Sequence, residues 1–439
     1  MLLNTSPASN EIWYTNGNTA TPSYPYYTSD ILSNQYDEEK CCWVITYKKD
    51  LTCIGYRYFA GCCDFKSIRI PNSVKRIEEN AFDGCTLLDS IIIPDSVTEI
   101  DPGAFYECVS LKEVILSNNL SILGDSVFSR CYELESIVLP CSLTHIPAWT
   151  FTKCENLKSI TIPDSIVSIG DEAFLGCKNL EKITIPDSVL RVGNAAFCAC
   201  SALTHVGLSN NITSIADLTF SGCEKLSSIR ISDKVESIGL CAFQGCSNLE
   251  DISFGKNVKY IGEASFYGCR NLRKVVIPEN VRFIDNCAFT SCHNIWCFQG
   301  KFRSSDSRCL IIDGILTAFA PAGLTSYIIP DGVTTIAEEV FKDCNDLISI
   351  TIPDSVTAIQ REAFSFCDNL SHVYCMALKP PTAHKRYLEH NTTPFYKNAD
   401  DRKIYVPEES VEKYRSHSCW NEYIYDIVGY DFKTNSIAE

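Results

Sequence analysis

Apolar residues return along this chain on two periods, one local and one long. Between Glu155 and Cys177, Ile160 and Ile162 flank polar Thr161, the two-residue alternation of a strand with one buried face. Pro163-Asp164-Ser165 then closes the strand, because proline cannot donate to a ladder and Asp behind it favours a turn. Ile166 and Ile169 predict a short extended return. Ala173, Phe174 and Cys177 follow at three- and four-residue spacing, which predicts about one helical turn, punctuated by Gly170 and Gly176.

The long period is 23 residues. Phenylalanine recurs on it at Phe59, Phe82, Phe105 and onward to Phe289, then again at Phe341 and Phe364, each followed three positions later by cysteine, from Cys62 to Cys292 and then Cys344 and Cys367. One such unit buries nothing alone. Stacked in a parallel ladder with strands ~4.8 Å apart, each unit covers the apolar face of the one before it. The fold class expected is therefore a repeat solenoid of short parallel β-strands with helical turns, capped at both ends, since an uncovered rung exposes a row of unpaired backbone groups.

The unit NLKSITIPDSIVSIGDEAFLGC resembles the BspA-type leucine-rich repeat, and the likeness runs from about Ile45 to Cys375. The flanks, Asn10 to Gly17 and Lys403 to Pro407 with Trp420 to Tyr423 and Ile427 to Asp431, resemble the ends of such proteins from gut bacteria. The resemblance implies a secreted or cell-surface, adhesin-like binding protein that engages host matrix, other cells or proteins.

The pattern breaks in three places. Residues 1–42, polar and aromatic around Trp13, Tyr14, Tyr24, Tyr26 and Tyr27, read as a poorly regular N-terminal arm or cap. The solenoid spans 43–292 and resumes over 326–375, and between these stretches, at 293–325, lies an irregular insertion. There Cys309 to Ile312 and Ile315 to Phe319 predict a β-hairpin, because Asp313-Gly314 suits a type I′ turn; it is either an irregular repeat or a protruding contact site. Residues 376–439 read as a C-terminal cap, with a strand at Ile404 to Val406 and a helix starting near Pro407.

Composition narrows the function. A formal charge of −16 repels nucleic acid and anionic membranes, so no nucleic-acid partner is expected. The longest apolar runs, such as Ile315 to Ala322, fall far short of the ~20 residues that cross a bilayer, so no membrane-spanning segment is expected. Met1-Leu2-Leu3 gives way at once to polar residues rather than a secretory core, which leaves a cytoplasmic location as the alternative to the surface.

Of 25 cysteines, about half sit on the repeat, where they read as small interior apolar fillers rather than disulfides. No Cys-x-x-Cys occurs, and no metal ligand set is expected. Cys41-Cys42, Cys62-Cys63 and Cys198 beside Cys200 are the thiols expected to be exposed. The seven histidines, His145, His205, His293, His372, His384, His390 and His417, fall in no catalytic or metal spacing. The recurring aspartates Asp95, Asp164, Asp187, Asp331 and Asp354 read as turn formers rather than calcium ligands. No cofactor motif appears, and no enzyme is expected.

What remains is binding. The position between the two inward strand residues faces outward and runs Arg69, Ile92, Ile115, Val138, Thr161, Thr184, Gly207, Arg230, Ser253, Val276, Ile328, Thr351. Ile92, Ile115 and Val138 are consecutive and apolar, so they form the candidate partner-binding stripe, unless the aromatic arm folds back over it. The function expected is a non-enzymatic protein-binding or adhesion module presenting a rigid face to a protein or glycan ligand. The alternative is an intracellular structural scaffold.

Overall fold

The structure, a computed structural model, describes residues 6–16, 29–383 and 393–437, so Tyr24, Tyr26, Tyr27, His384 and His390 lie outside the described residues. The chain divides into two compact units, Met1–Leu226 and Ser227–Glu439. Each is a parallel β-solenoid. In the first, strands Phe65–Arg69, Ser90–Ile92, Glu113–Ile115, Ser136–Val138 and Ser159–Thr161 lie side by side in one sheet, with Ile68 opposite Ile91, Ile91 opposite Val114 and Ile137 opposite Ile160. The two-residue returns, such as Ser168–Ile169 against Arg191–Val192, make a second ladder.

Between the ladders lies the core. Phe59, Phe82, Phe105, Phe128, Phe151, Phe174, Phe197 and Phe220 stack with ring centroids 5.1–5.8 Å apart and planes within 17°. In the second unit the stack runs Phe243, Phe266, Phe289 and again Phe341, Phe364, Phe395. One phenylalanine per rung is enough, because the rung spacing matches the offset-stacking distance of aromatic rings.

The segment expected to be a helical turn is not helical. Glu172 (φ 54°) and Gly176 (φ 72°) are left-handed, and neither belongs in a right-handed helix. Instead, hydrogen bonds alternate between turn and neighbour. Leu175 N–H donates to Glu172 O (3.1 Å) and Cys177 N–H to Phe174 O (3.1 Å), while Phe174 N–H donates to Ala196 O (2.8 Å) and Gly176 N–H to Cys198 O (2.8 Å) on the next rung. Two successive tight turns thus give Phe174 and Cys177 the same inward spacing that a helical turn would, and still ladder to the neighbouring rung. Among the described residues the α-helix Val411–Ser416 and two 3₁₀ turns, Glu408–Ser410 and Asn421–Tyr423, are the helical elements.

The N-terminal end is more regular than its composition suggests. Strands Glu11–Asn16, Ile31–Asp37 and Cys42–Tyr47 extend the sheet antiparallel beyond Phe65–Arg69, and Tyr14 packs at 4.7 Å on Phe65. At the other end strand Lys403–Pro407 continues the ladder, so Pro407 ends a strand and the helix starts at Val411. Trp420 closes that core, its indole N–H donating to Pro381 O at 2.7 Å.

The hairpin Cys309–Ile312 and Ile315–Phe319 forms with Asp313 and Gly314 both at positive φ, as its turn demands. Ile315–Phe319 also pairs in parallel with Thr335–Ile336, so the hairpin is built into the return ladder. Thr290 Oγ1 donates to Glu339 O (3.2 Å) and Ser291 Oγ to Asp343 (2.7 Å), which brings the turns on either side of the insertion into direct contact.

Candidate binding surface

Every outward residue in the sheet has the same origin: strand alternation puts its two neighbours into the core. Ile92 pairs with Ile115, and Val138 follows one rung on, opposite Thr161. The structure leaves these three side chains 45%, 49% and 80% exposed. Val276 and Ile328, the other apolar members of the column, are exposed as single residues opposite Gln299 and Thr351.

The described part of the aromatic arm does not lie over this stripe. It lengthens the same column. Trp13 pairs with Arg69 on one side and Val44 on the other, and Trp13, Cys42 and Val44 form a small cluster of their own. Lys40 sits 4.9 Å from the centre of the Trp13 ring, and the indole N–H donates to Glu11 at 2.8 Å.

Three residues before each stripe position runs a column that the sequence reading passed over: Lys66, Asp89, Lys112, Glu135, Lys158, Glu181. Its charges alternate from rung to rung, and neighbours pair, Lys112 with Asp89 at 3.6 Å and Lys158 with Glu135 at 2.8 Å. The hydrogen bond from Lys158 holds the Glu135 carboxyl below its ordinary range. Reading the sequence every 23 residues at this position would have found the rail. Along this rail the apolar stripe is bordered by paired charges, while Glu113 is exposed beside Ile115 on the strand itself.

Apart from Cys62, the cysteines on the repeat are buried, and most share one hydrogen bond. Cys85, Cys108, Cys131, Cys154, Cys177 and Cys200 point Sγ–H at the carbonyl oxygen of the phenylalanine 26 residues earlier, at 3.1–3.3 Å. All 25 cysteines are free thiols. Cys41, Cys63 and Cys141 are exposed, whereas Cys42 and Cys200, grouped above with the accessible thiols, are buried. Cys62 is half-buried, and burial pushes its thiol up to about 12.

Two of the recurring aspartates bond across rungs: Asp95 accepts from the Asn118 N–H (2.8 Å) and Asp187 from the Asn210 N–H (2.7 Å). Several histidines pair with the residue beside them, His145 with Thr144 (2.8 Å) and His205 with Thr204 (2.9 Å). Among the described residues Cys287, Glu338 and Glu339 bring three metal-ligating groups together. Their charges are already engaged, Glu338 by Arg361 and Glu339 by Lys342 at 2.9 Å, and burial pushes the Cys287 thiol up to about 12. The two glutamates thus belong to an ion-pair network with Lys342 and Arg361.

Residues 52–181, 167–296 and 316–428 match the BspA type leucine rich repeat region. The chain belongs to this family. Among solved structures, a leucine-rich repeat protein from Bacteroides ovatus is similar at 24% identity, covering 92% of this chain and 97% of that one with a TM-score of 0.52. A leucine rich cell surface protein from Faecalibacterium prausnitzii aligns at 24% identity over 81% of this chain and 96% of its own, with a TM-score of 0.47. No curated protein matches the chain. The first likeness agrees with the parallel β-solenoid described above.

Proposed function

We propose that this BspA-type chain is a non-enzymatic binding module that docks a protein partner on Ile92, Ile115 and Val138 at the cell surface. The observation that carries the reading is the in-register exposure of three branched apolar side chains beside a self-neutralised charge rail. Contiguous exposed apolar area on a folded protein marks a contact site, and paired border charges leave little electrostatic cost to covering it. Surface location is supported by the BspA-type family.

The free thiols favour a second reading, an intracellular scaffold, because a reducing compartment keeps them so. Protease treatment of intact cells separates the two: loss of the protein supports the surface, and full protection supports the interior. For the site, the Ile92→Lys, Ile115→Lys double variant is tested by biolayer interferometry against a panel of extracellular-matrix proteins, alongside its melting temperature. Lost binding at unchanged melting supports docking on the stripe. Binding that survives in the variant rejects it.

A further inference from the structure

The second unit carries a different surface. Continuing the outward column past Thr351 gives Tyr374 and then Tyr405, in register across adjacent strands. Their rings stack at 4.8 Å, and His372 lies nearly parallel, 5.9 Å from Tyr405. Tyr430 meets both tyrosines edge-on at 5.3 Å, and Phe432 meets Tyr430 at 5.0 Å. Five aromatic rings thus lie on the outer side of this sheet, Tyr405 buried among them and Tyr374 half-buried. One side of Tyr374 is covered by Tyr405, and the rung on its other side carries only Thr351. At ~4.8 Å rung spacing so small a neighbour leaves that side of the ring open.

An open groove of about 680 Å³ runs past the starts of the same strands, lined by Thr325, Asp346, Ile348, Asn369, Ser371 and Asp401. Ser371 joins groove to aromatic face, its hydroxyl hydrogen-bonded to His372 Nδ1 at 2.8 Å. Asn369 donates to Asn345 O at 2.8 Å and keeps its side-chain carbonyl as an acceptor. The lining therefore combines two exposed carboxylates, an amide and two hydroxyls with an adjoining aromatic wall.

We propose that this groove and the Tyr374 face bind a neutral oligosaccharide. Carboxylate, amide and hydroxyl groups match the many donors and acceptors of a sugar, while an open aromatic face suits the apolar C–H side of a pyranose ring. Asp346 and Asp401 disfavour phosphorylated, sulfated or uronic-acid ligands by like charge. A basic peptide would suit the carboxylates and leave the hydroxyl, amide and ring groups unused. This site is separate from the stripe of the first unit and stands or falls independently of it.

The test is calorimetric titration of the full chain with cellohexaose, xylohexaose, mannohexaose and laminarihexaose, and with a hexalysine peptide. At least one hexaose is expected to bind, with roughly tenfold or greater weakening in both Tyr374→Ala and Asp401→Asn, about 1.4 kcal/mol or more. Melting temperature serves as the control on folding. Asp401 is exposed at the surface, so its amide variant keeps the question answerable even where Tyr374→Ala destabilises the cap. No hexaose binding, binding indifferent to both substitutions, or binding of hexalysine alone each overturns the proposal.

Discussion

Cys177 points its thiol hydrogen at the carbonyl oxygen of Phe151, 3.2 Å away and 26 residues earlier. That carbonyl also accepts the Cys154 N–H at 3.0 Å, so the cysteine fills the second lone pair of a group no water reaches. A methyl group of similar size would pack there without donating. The thiol is therefore a donor as well as a filler, and the repeated Phe-x-x-Cys is one hydrogen-bonded unit.

Cys177→Ala should accordingly destabilise by about 1–3 kcal/mol, from lost packing and a lost buried donor. Cys177→Ser keeps a donor and should be the less damaging of the two. Urea unfolding midpoints rank them; alanine outranking serine would show that the carbonyl contact contributes nothing.

Alkaline pH should unfold the protein through the same thiols. Burial raises Cys62, Cys292 and Cys367 to about 12. In the unfolded chain a thiol ionises near ~8.5, so the raised group gives its full stabilisation below that pH and loses it as pH climbs toward the folded value. Each such thiol steepens the decline by about 1.4 kcal/mol per pH unit. Circular dichroism should show a sharp loss of structure beginning above about pH 9. At neutral pH a thiol reagent should modify Cys41, Cys63 and Cys141 first and spare Cys154, Cys177 and Cys200 until denaturation. A flat stability profile to pH 11, or rapid native labelling of Cys177, would contradict the burial argument.

The sequence periodicity made the core legible, because the same inward positions return in every rung and only one stacking satisfies them all. Turn conformation was not legible. Three- and four-residue spacing of Ala173, Phe174 and Cys177 fits a helical turn as well as two tight turns, and the deciding residue, Glu172 at φ 54°, carries no glycine to announce it. The stripe was legible because Ile92, Ile115 and Val138 lie on the strict period. Tyr405 was not, since the segment between Cys375 and Lys403 leaves the period before the ladder resumes.

The left-handed positions give a backbone prediction. Gly176→Ala should cost about 1 kcal/mol, because a side chain there pays for positive φ although nothing blocks its Cβ more closely than 3.5 Å. Ala199 holds the equivalent place at φ 58°, so Ala199→Gly relieves strain while adding chain entropy and should leave stability unchanged or up to about 1 kcal/mol higher. Thermal melting of the two variants checks both signs; a clear loss for Ala199→Gly would mean the turn tolerates a Cβ at no cost.

An inward charge should be far worse than any of these. Ile162 is 6% exposed between its neighbouring rungs, and Ile162→Asp places a carboxylate there with no partner, at a cost of several kcal/mol. Unchanged melting in that variant would reject the inward placement.

Deleting one whole period, Glu155 to Cys177, tests the stacking itself. The cut joins Cys154 to Lys178 and hands each inward contact to an equivalent residue: Phe197 would stack on Phe151, and Cys200 would donate to Phe151 O in place of Phe174 O. Deleting ten residues within the unit shifts every later strand out of register and should unfold the region. The whole-unit deletion has one specific defect. It removes Lys158 from the charge rail and brings Glu135, which Lys158 holds at 2.8 Å, beside Glu181. Adding Glu181→Lys restores the alternation and should recover a few tenths of a kcal/mol, the size of an exposed ion pair, with the gain shrinking at high salt. Urea midpoints of the three proteins at low and high salt measure this. If the ten-residue deletion is the more stable, rungs do not stack as independent layers; if Glu181→Lys helps equally at both salt concentrations, the rail acts through something other than its charges.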